Sequence, residues 1–139
     1  MKQRWLTSLR ILLGLFFAAG GAMKGIAVQE FSSVISAFDL LPEEWSLFTA
    51  VTIITGEMFF GTLLMFGIAL RRTGAVLIAA ILIFTLATAS ALVRGIETSC
   101  GCFGASSGET IGAGTFIRNG IILLLLVIVT AARPHEPQK

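Results

Sequence analysis

Four apolar stretches, each long enough to cross a bilayer, constrain this 139-residue chain more than any other feature. A spanning helix needs about 20 mainly apolar residues, and the sequence predicts spans over residues 8–28, 47–70, 75–93 and 113–132. The composition agrees, because 55% of the residues are hydrophobic, 13% are charged and the mean hydropathy is +0.91. We therefore expect an all-α integral membrane protein, in which residues 1–139 form one domain, a four-helix antiparallel bundle.

The first span has an alternative interpretation as a signal peptide. Lys2, Arg4 and Arg10 precede an apolar run that reaches small residues at 18–22, as in a cleavable leader. The apolar run continues past these small residues, however, and three further spans follow it. We therefore favour a membrane anchor at this end of the chain.

The basic residues predict an orientation and argue against nucleic-acid binding. The net charge is only +2, and the positive residues form no stripe that could follow phosphates. All but one of those beside the spans fall on one side, which the positive-inside rule makes cytoplasmic, whereas Arg94 lies on the other side with the acidic residues of the loops. Those on the cytoplasmic side are Lys2, Arg4, Arg10, Arg71, Arg72, Arg133 and Lys139. Arg71 and Arg72 are expected to form a tight second loop. Both termini should face the cytoplasm, and the loop at 94–112 should lie outside the inner (cell) membrane.

The first external loop carries apolar residues at helical spacing. They are Phe31, Val34, Ile35, Phe38 and Leu41. Serines and Asp39 lie between them and Pro42 ends the pattern, so we predict a short amphipathic helix at the outer surface of the bilayer. This interfacial helix either closes the bundle as a lid or docks a partner protein.

Small residues predict where the first two spans approach each other. The first span carries a stripe of them, and the second has glycines on both sides of Glu57. They are Gly14, Ala18, Gly21, Gly25, Gly56 and Gly61. Glycine allows membrane helices to pack backbone to backbone, so we expect these positions to mark helix packing.

Apart from Arg10 near the start of the first span, four residues with charged or amide side chains lie within the predicted spans, where such groups are costly unless they face the bundle, a partner or water. They are Lys24, Glu57, Arg118 and Asn119. A rise of about 1.5 Å per residue puts Lys24 and Arg118 within roughly 10 Å of the outer surface and Glu57 near the membrane middle. Lys24 and Arg118 either face inward or extend to the lipid headgroups. Glu57 either pairs with Lys24, stays protonated or bonds to a neighbouring helix.

Both cysteines stand in one pentapeptide of the predicted outer loop, Cys100-Gly101-Cys102-Phe103-Gly104. A disulfide usually spans a Cα separation of about 4.4–6.8 Å, which two cysteines one residue apart meet only in a tight ring. Such a bond should be strained and readily exchanged, and an extracytoplasmic location allows it to persist. If the basic residues Lys24, Arg94 and Arg118 lie near the loop, they favour the thiolate.

Three uses of these thiols are open from the residues alone: redox exchange, capture of a soft metal ion such as Cu(I), Zn(II) or Hg(II), or a local structural staple. Two cysteines provide too few ligands for a closed zinc site, so metal capture needs a partner or a second copy. Haem is not expected, because the only histidine, His135, lies in the polar tail. We therefore assign no metal-binding residues and expect no tightly held cofactor.

The sequence resembles the MauE family and related redox-associated members of the DoxX-like membrane proteins. The matching positions are 10–14, Gly21, Lys24, 31–42, Glu57, Gly61, Arg94-Gly95, the cysteine pentapeptide and Arg118-Asn119. The pentapeptide is the specific part of this pattern. The resemblance implies a four-helix membrane protein linked to extracytoplasmic thiol redox and acting beside a thioredoxin-like partner.

We expect a component of a thiol–disulfide oxidoreductase system, with Cys100 and Cys102 as the exchanging couple. The supporting residues are Gly101, Phe103, Gly104, Lys24, Glu57, Arg94, Arg118 and Asn119. The chain has no cysteine elsewhere, so its thiols cannot relay electrons across the membrane. Electrons must pass to or from a soluble thioredoxin-like partner or, as a lower-ranked alternative, a membrane quinone. A soft-metal carrier and a purely structural membrane subunit are the competing functions.

Overall fold

The computed structural model describes residues 2–98 and 110–132, and these residues form five helices. In chain order they are α1 (Lys2–Ile26), α2 (Val28–Ala37), α3 (Glu43–Phe66), α4 (Leu70–Val93) and α5 (Ala113–Ala131). All except α2 are long and apolar enough to cross a membrane. The predicted all-α membrane protein with four spans and one additional short helix is confirmed.

The four long helices share one apolar core. Its buried members come from all four: Leu13, Phe17, Leu64, Leu77, Ile81, Ile122, Leu126 and Val129. Between α1 and α3, Gly14 lies against Gly61, while Gly21 lies against Ile54. Residue numbers rise along one helix as they fall along the other, so α1 and α3 are antiparallel.

Gly14 and Gly61 let α1 and α3 approach each other closely. A Cβ added at Gly61 would lie 2.8 Å from the Ala18 amide nitrogen and 2.9 Å from the Gly14 carbonyl oxygen. A Cβ added at Gly14 would lie 2.6 Å from the Gly61 carbonyl oxygen. Neither position accepts a methyl group unless a helix moves, so these glycines mark helix packing, as the small-residue pattern predicts.

Gly61→Ala should lower the stability of the bundle, whereas Gly120→Ala should leave it unchanged or raise it. Overpacking costs about 1–3 kcal/mol, which exceeds the gain of roughly 1 kcal/mol from replacing a helical glycine by alanine. Gly120 is the matched control on α5, because no atom of the described residues lies within 4 Å of an added Cβ there. Thermal unfolding in detergent measures both variants, and equal Tm values would contradict the close approach.

The turn between α3 and α4 differs from the prediction. The expected tight loop at Arg71 and Arg72 is wrong, because both residues lie in the first turn of α4. The connection is residues 67–69, where Gly67 and Ala69 have positive φ angles of 76° and 46°. Ile68 within this turn is apolar, so the hydropathy pattern continues through it and hides the boundary.

The short helix α2 covers one end of the bundle as a lid. Its apolar face, with the C-cap residue Phe38, is buried: Phe31, Val34, Ile35 and Phe38. One part of this face packs on Ala50 and Ile54 of α3, and the other packs on Ala91 of α4. The predicted amphipathic helix is therefore present with the packing of a lid, but it spans Val28–Ala37. Leu41, expected on its apolar face, lies beyond its end and is exposed, because the chain leaves the helix before Asp39, whose φ is 50°.

Candidate functional site

Lys24 of α1 and Glu57 of α3 form a buried ion pair. The Lys24 Nζ atom lies 2.7 Å from each carboxylate oxygen of Glu57, and Lys24 is only 4% exposed. The same ammonium lies 5.3 Å from the centroid of the Phe31 ring, within the range of a cation–π contact. Among the alternatives, pairing of Glu57 with Lys24 is confirmed, and extension of Lys24 to the headgroups is wrong.

The ion pair lies deeper along the bundle than the sequence suggests for Lys24. At about 1.5 Å per residue, Glu57 lies about 21 Å along α3 from its first residue, Glu43. The helix α1 ends at Ile26, and α2 then packs against Ala50 and Ile54 of α3. The last turn of α1 therefore meets the middle of α3. A cation in that turn also complements the partial negative charge at the end of the α1 dipole.

A cavity of about 410 Å³ lies beside the ion pair, between the four long helices and under α2. The four polar span residues identified from the sequence all line it: Lys24, Glu57, Arg118 and Asn119. Phenylalanines supply much of its apolar wall: Phe16, Phe17, Phe31, Phe38, Phe60 and Phe84. This volume lies within the range of about 300–1,000 Å³ that is typical of small-molecule sites.

Asn119 connects α5 to α4 at the wall of this cavity. Its Nδ2 atom donates to Thr85 Oγ1 at 3.1 Å, and Asn119 is 6% exposed. The Thr85 hydroxyl in turn donates to the Ile81 carbonyl oxygen at 2.7 Å, which fixes the orientation of the acceptor. Arg118, the neighbouring residue on α5, is partly buried and lines the same cavity. The polar residues predicted to gather inside the bundle do so around one space.

Arg94 fastens the lid and does not line the cavity. Its guanidinium donates to the carbonyl oxygens of Phe38 and Asp39, the second at 3.4 Å. The Asp39 carboxylate lies 3.9 Å from the same guanidinium. These contacts tie the C-terminal end of α2 to the C-terminal end of α4. Because Phe38 is itself a cavity residue, Arg94 indirectly secures the cover of the cavity.

The exchanging couple predicted from the sequence lies outside the described residues. This holds for Cys100, Gly101, Cys102, Phe103 and Gly104. A hydrogen bond joins the described residues on the two sides of this segment: the Ile111 amide donates to the Thr98 carbonyl oxygen at 3.3 Å. Ile96 and Ile111 pack against the cluster that contains Val34 and Phe38. The chain therefore leaves and rejoins the described structure at one place, beside the C-terminal end of the lid.

Sequence reasoning missed the apolar walls of the cavity and assigned one of its glycines wrongly. Gly56 was expected to mark helix packing, but no atom of the described residues lies within 4 Å of an added Cβ there. Gly56 instead lines the cavity beside Glu57. Apolar residues of a spanning helix can face lipid, core or cavity, so hydropathy gave no signal for the phenylalanine walls. Gly56, which adjoins the carboxylate-bearing Glu57 in the sequence, was the one available indication that the helix faces open space there.

A family model described as methylamine utilisation protein MauE matches residues 2–132 of the chain. The matched range includes all five helices and the segment that carries both cysteines. No curated protein and no solved structure matches the chain. The family match therefore connects this bundle with known proteins.

Proposed function

The chain belongs to the MauE family, whose description refers to methylamine utilisation, and we propose that it exchanges disulfides with a thioredoxin-like protein outside the cytoplasm. The observation that carries this proposal is the sequence Cys100-Gly101-Cys102. It contains every thiol of the chain and stands in the segment that joins α4 to α5. Two thiols one residue apart can act successively on one partner disulfide, as an exchanging couple must.

The exchange consists of two thiolate attacks. One cysteine of the couple attacks the partner's disulfide, forming a mixed disulfide and releasing one partner thiolate. The other cysteine then attacks the mixed disulfide, which closes the Cys100–Cys102 bond and releases the second partner thiolate. Two electrons pass from this chain to the partner, and the protons from the two thiols pass to the released thiolates. With a reduced partner the same steps run in reverse.

The single location of the thiols supports a soluble partner. Both cysteines stand between α4 and α5, so they offer no thiol relay from one end of the bundle to the other. The electrons must therefore be delivered or accepted on that side, by a soluble protein or, as the lower-ranked alternative, by a membrane quinone. Arg94 lies at this end of α4, and a nearby positive charge favours the thiolate form that attacks disulfides.

An impermeant maleimide applied to intact cells after mild reduction should label Cys100 or Cys102. The basic residues beside the spans are the reason, because they predict that the segment between α4 and α5 lies outside the cytoplasm. The measurement is a mass shift on a denaturing gel, compared with a variant in which both cysteines are replaced by serine.

The matched control places a cysteine at the other end of the bundle. Ile68 is 53% exposed in the turn between α3 and α4, so Ile68→Cys in the cysteine-free background should react only after the membrane is breached. Labelling of Cys100 and Cys102 only after the breach would overturn the extracytoplasmic assignment, and the proposed exchange with it.

A further inference from the structure

The cavity beside the ion pair opens toward the lipid between α3 and α4. Several of its lining residues on these helices also have exposed side chains: Thr52 on α3, and Val76, Ala80 and Ile83 on α4. Leu40 and Leu41, between α2 and α3, are exposed lining residues as well. Exposed residues in the middle of spanning helices face the hydrocarbon of the bilayer. A molecule dissolved in the membrane therefore has a lateral path into the cavity and need not pass the lid.

The walls of the cavity favour a flat ring. Of the 11 phenylalanines in the chain, those that line the cavity come from α1, α2 with its C-cap, α3 and α4: Phe16, Phe17, Phe31, Phe38, Phe60 and Phe84. Aromatic faces and edges gain energy from contact with another ring beyond what burial alone provides. A saturated acyl chain gains nothing further from such walls, so the wall chemistry distinguishes ring ligands from ordinary lipid tails.

The polar groups of the cavity favour a ligand with hydrogen-bond acceptors. Lys24, Arg118 and Asn119 all carry N–H donors and all line the space. The only carboxylate among the described lining residues is Glu57, and Lys24 already compensates its charge. Donors from two helices, α1 and α5, in an otherwise apolar cavity suit the carbonyl oxygens of a lipid-soluble molecule.

We propose that this cavity binds the ring of a membrane quinone. The ring lies among the phenylalanines, its carbonyl oxygens face the donors of Lys24 and Asn119, and its isoprenoid tail leaves through the opening between α3 and α4. The proposal concerns binding alone. It stands or falls independently of disulfide exchange, because the binding test requires no cysteine.

Gly56→Leu provides the test, because Gly56 lines the cavity and a Cβ added there meets no described neighbour within 4 Å. Binding of menadione and of a short-chain ubiquinone to the full chain in nanodiscs can be measured by calorimetry, with empty nanodiscs as the blank. Because menadione adds to free thiols, the wild-type cavity and all variants are compared in a background that carries Cys100→Ser and Cys102→Ser. Wild type should bind at least one of these quinones saturably, and Gly56→Leu should weaken that binding by at least about tenfold. The control Gly120→Leu, whose added Cβ also meets no described atom, should keep the wild-type affinity.

A second variant and a cross-linking probe make the result decisive. Ala80→Leu enters the same cavity from α4 and should weaken binding as Gly56→Leu does, which covers the case in which one variant fails to fold. A photoreactive azidoquinone should label peptides of α3 or α4 that line the cavity.

The proposal is overturned if wild type binds neither quinone saturably, or if the cavity variants bind as well as Gly120→Leu. Equal competition by stearate would overturn it as well, since it would identify an acyl-chain site.

Discussion

Replacing Lys24 by Met, or Glu57 by Gln, should destabilise the bundle by about 3–5 kcal/mol, because each change leaves a buried polar group without its charged partner. The two groups meet through two contacts of 2.7 Å, and the side chains are only 6% and 20% exposed. Water cannot readily replace the missing partner at this depth. The ion pair also joins the last turn of α1 to the middle of α3, so its loss weakens a contact between two spans.

The double variant should lose less stability than the sum of the losses in the two single variants. Removing both groups leaves neither an uncompensated ammonium nor an uncompensated carboxylate, so the coupling energy of the mutant cycle should be large. Thermal unfolding in detergent measures the cycle, with Glu30→Gln on the exposed face of α2 as the control. Additive losses would reject the coupling between Lys24 and Glu57.

The helices of this fold follow from hydropathy, but their ends do not. The apolar run predicts a first span from residue 8, whereas α1 begins at Lys2. Backbone hydrogen bonds continue a helix through polar residues beyond the part that a membrane requires. The turn at 67–69 was missed for the opposite reason, since an apolar Ile68 stands where the chain reverses. Hydropathy reports where lipid contacts the chain, and helix ends depend on local backbone geometry as well.

The ion pair was one of three alternatives for Glu57, because depth could not be read from span boundaries. The sequence estimate put Lys24 near the outer surface and Glu57 near the middle, on the assumption that every span ends at the same level. In the structure α2 packs beside the first half of α3, and α1 ends below it. A lid that occupies part of the bundle's length changes the register of its neighbours, and only tertiary packing reveals that change.

The polar lining of the cavity could be predicted from the sequence, whereas its apolar lining could not. Lys24, Glu57, Arg118 and Asn119 stand out in the sequence because polar groups in a span are rare and costly. The phenylalanines that complete the walls are ordinary for a spanning helix, and nothing in a single sequence distinguishes a ring facing a cavity from one facing lipid. The assignment of Cys100 and Cys102 as the exchanging couple rests on the sequence alone, and their role stays a prediction.

Replacing the resolving cysteine of the couple should convert a transient intermediate into a stable covalent complex. Cys100→Ser and Cys102→Ser are made separately, since the residues do not determine which cysteine attacks. The variant that keeps only the attacking thiol can form the mixed disulfide but cannot release the partner, so the complex should accumulate. The variant that lacks both cysteines should form none. The difference in adduct between the variant that keeps the attacking thiol and the variant that lacks both cysteines is expected to be all or none.

The most direct test of the proposed exchange is a non-reducing gel of these variants from native membranes, with the cross-linked protein identified by mass spectrometry. The account predicts that one single variant carries a reducible adduct with a thioredoxin-like protein and that the double variant carries no adduct. If neither single variant traps such a protein, the exchange is contradicted. If wild type then also binds Cu(I) or Hg(II) tightly and loses the metal with either substitution, metal capture takes its place.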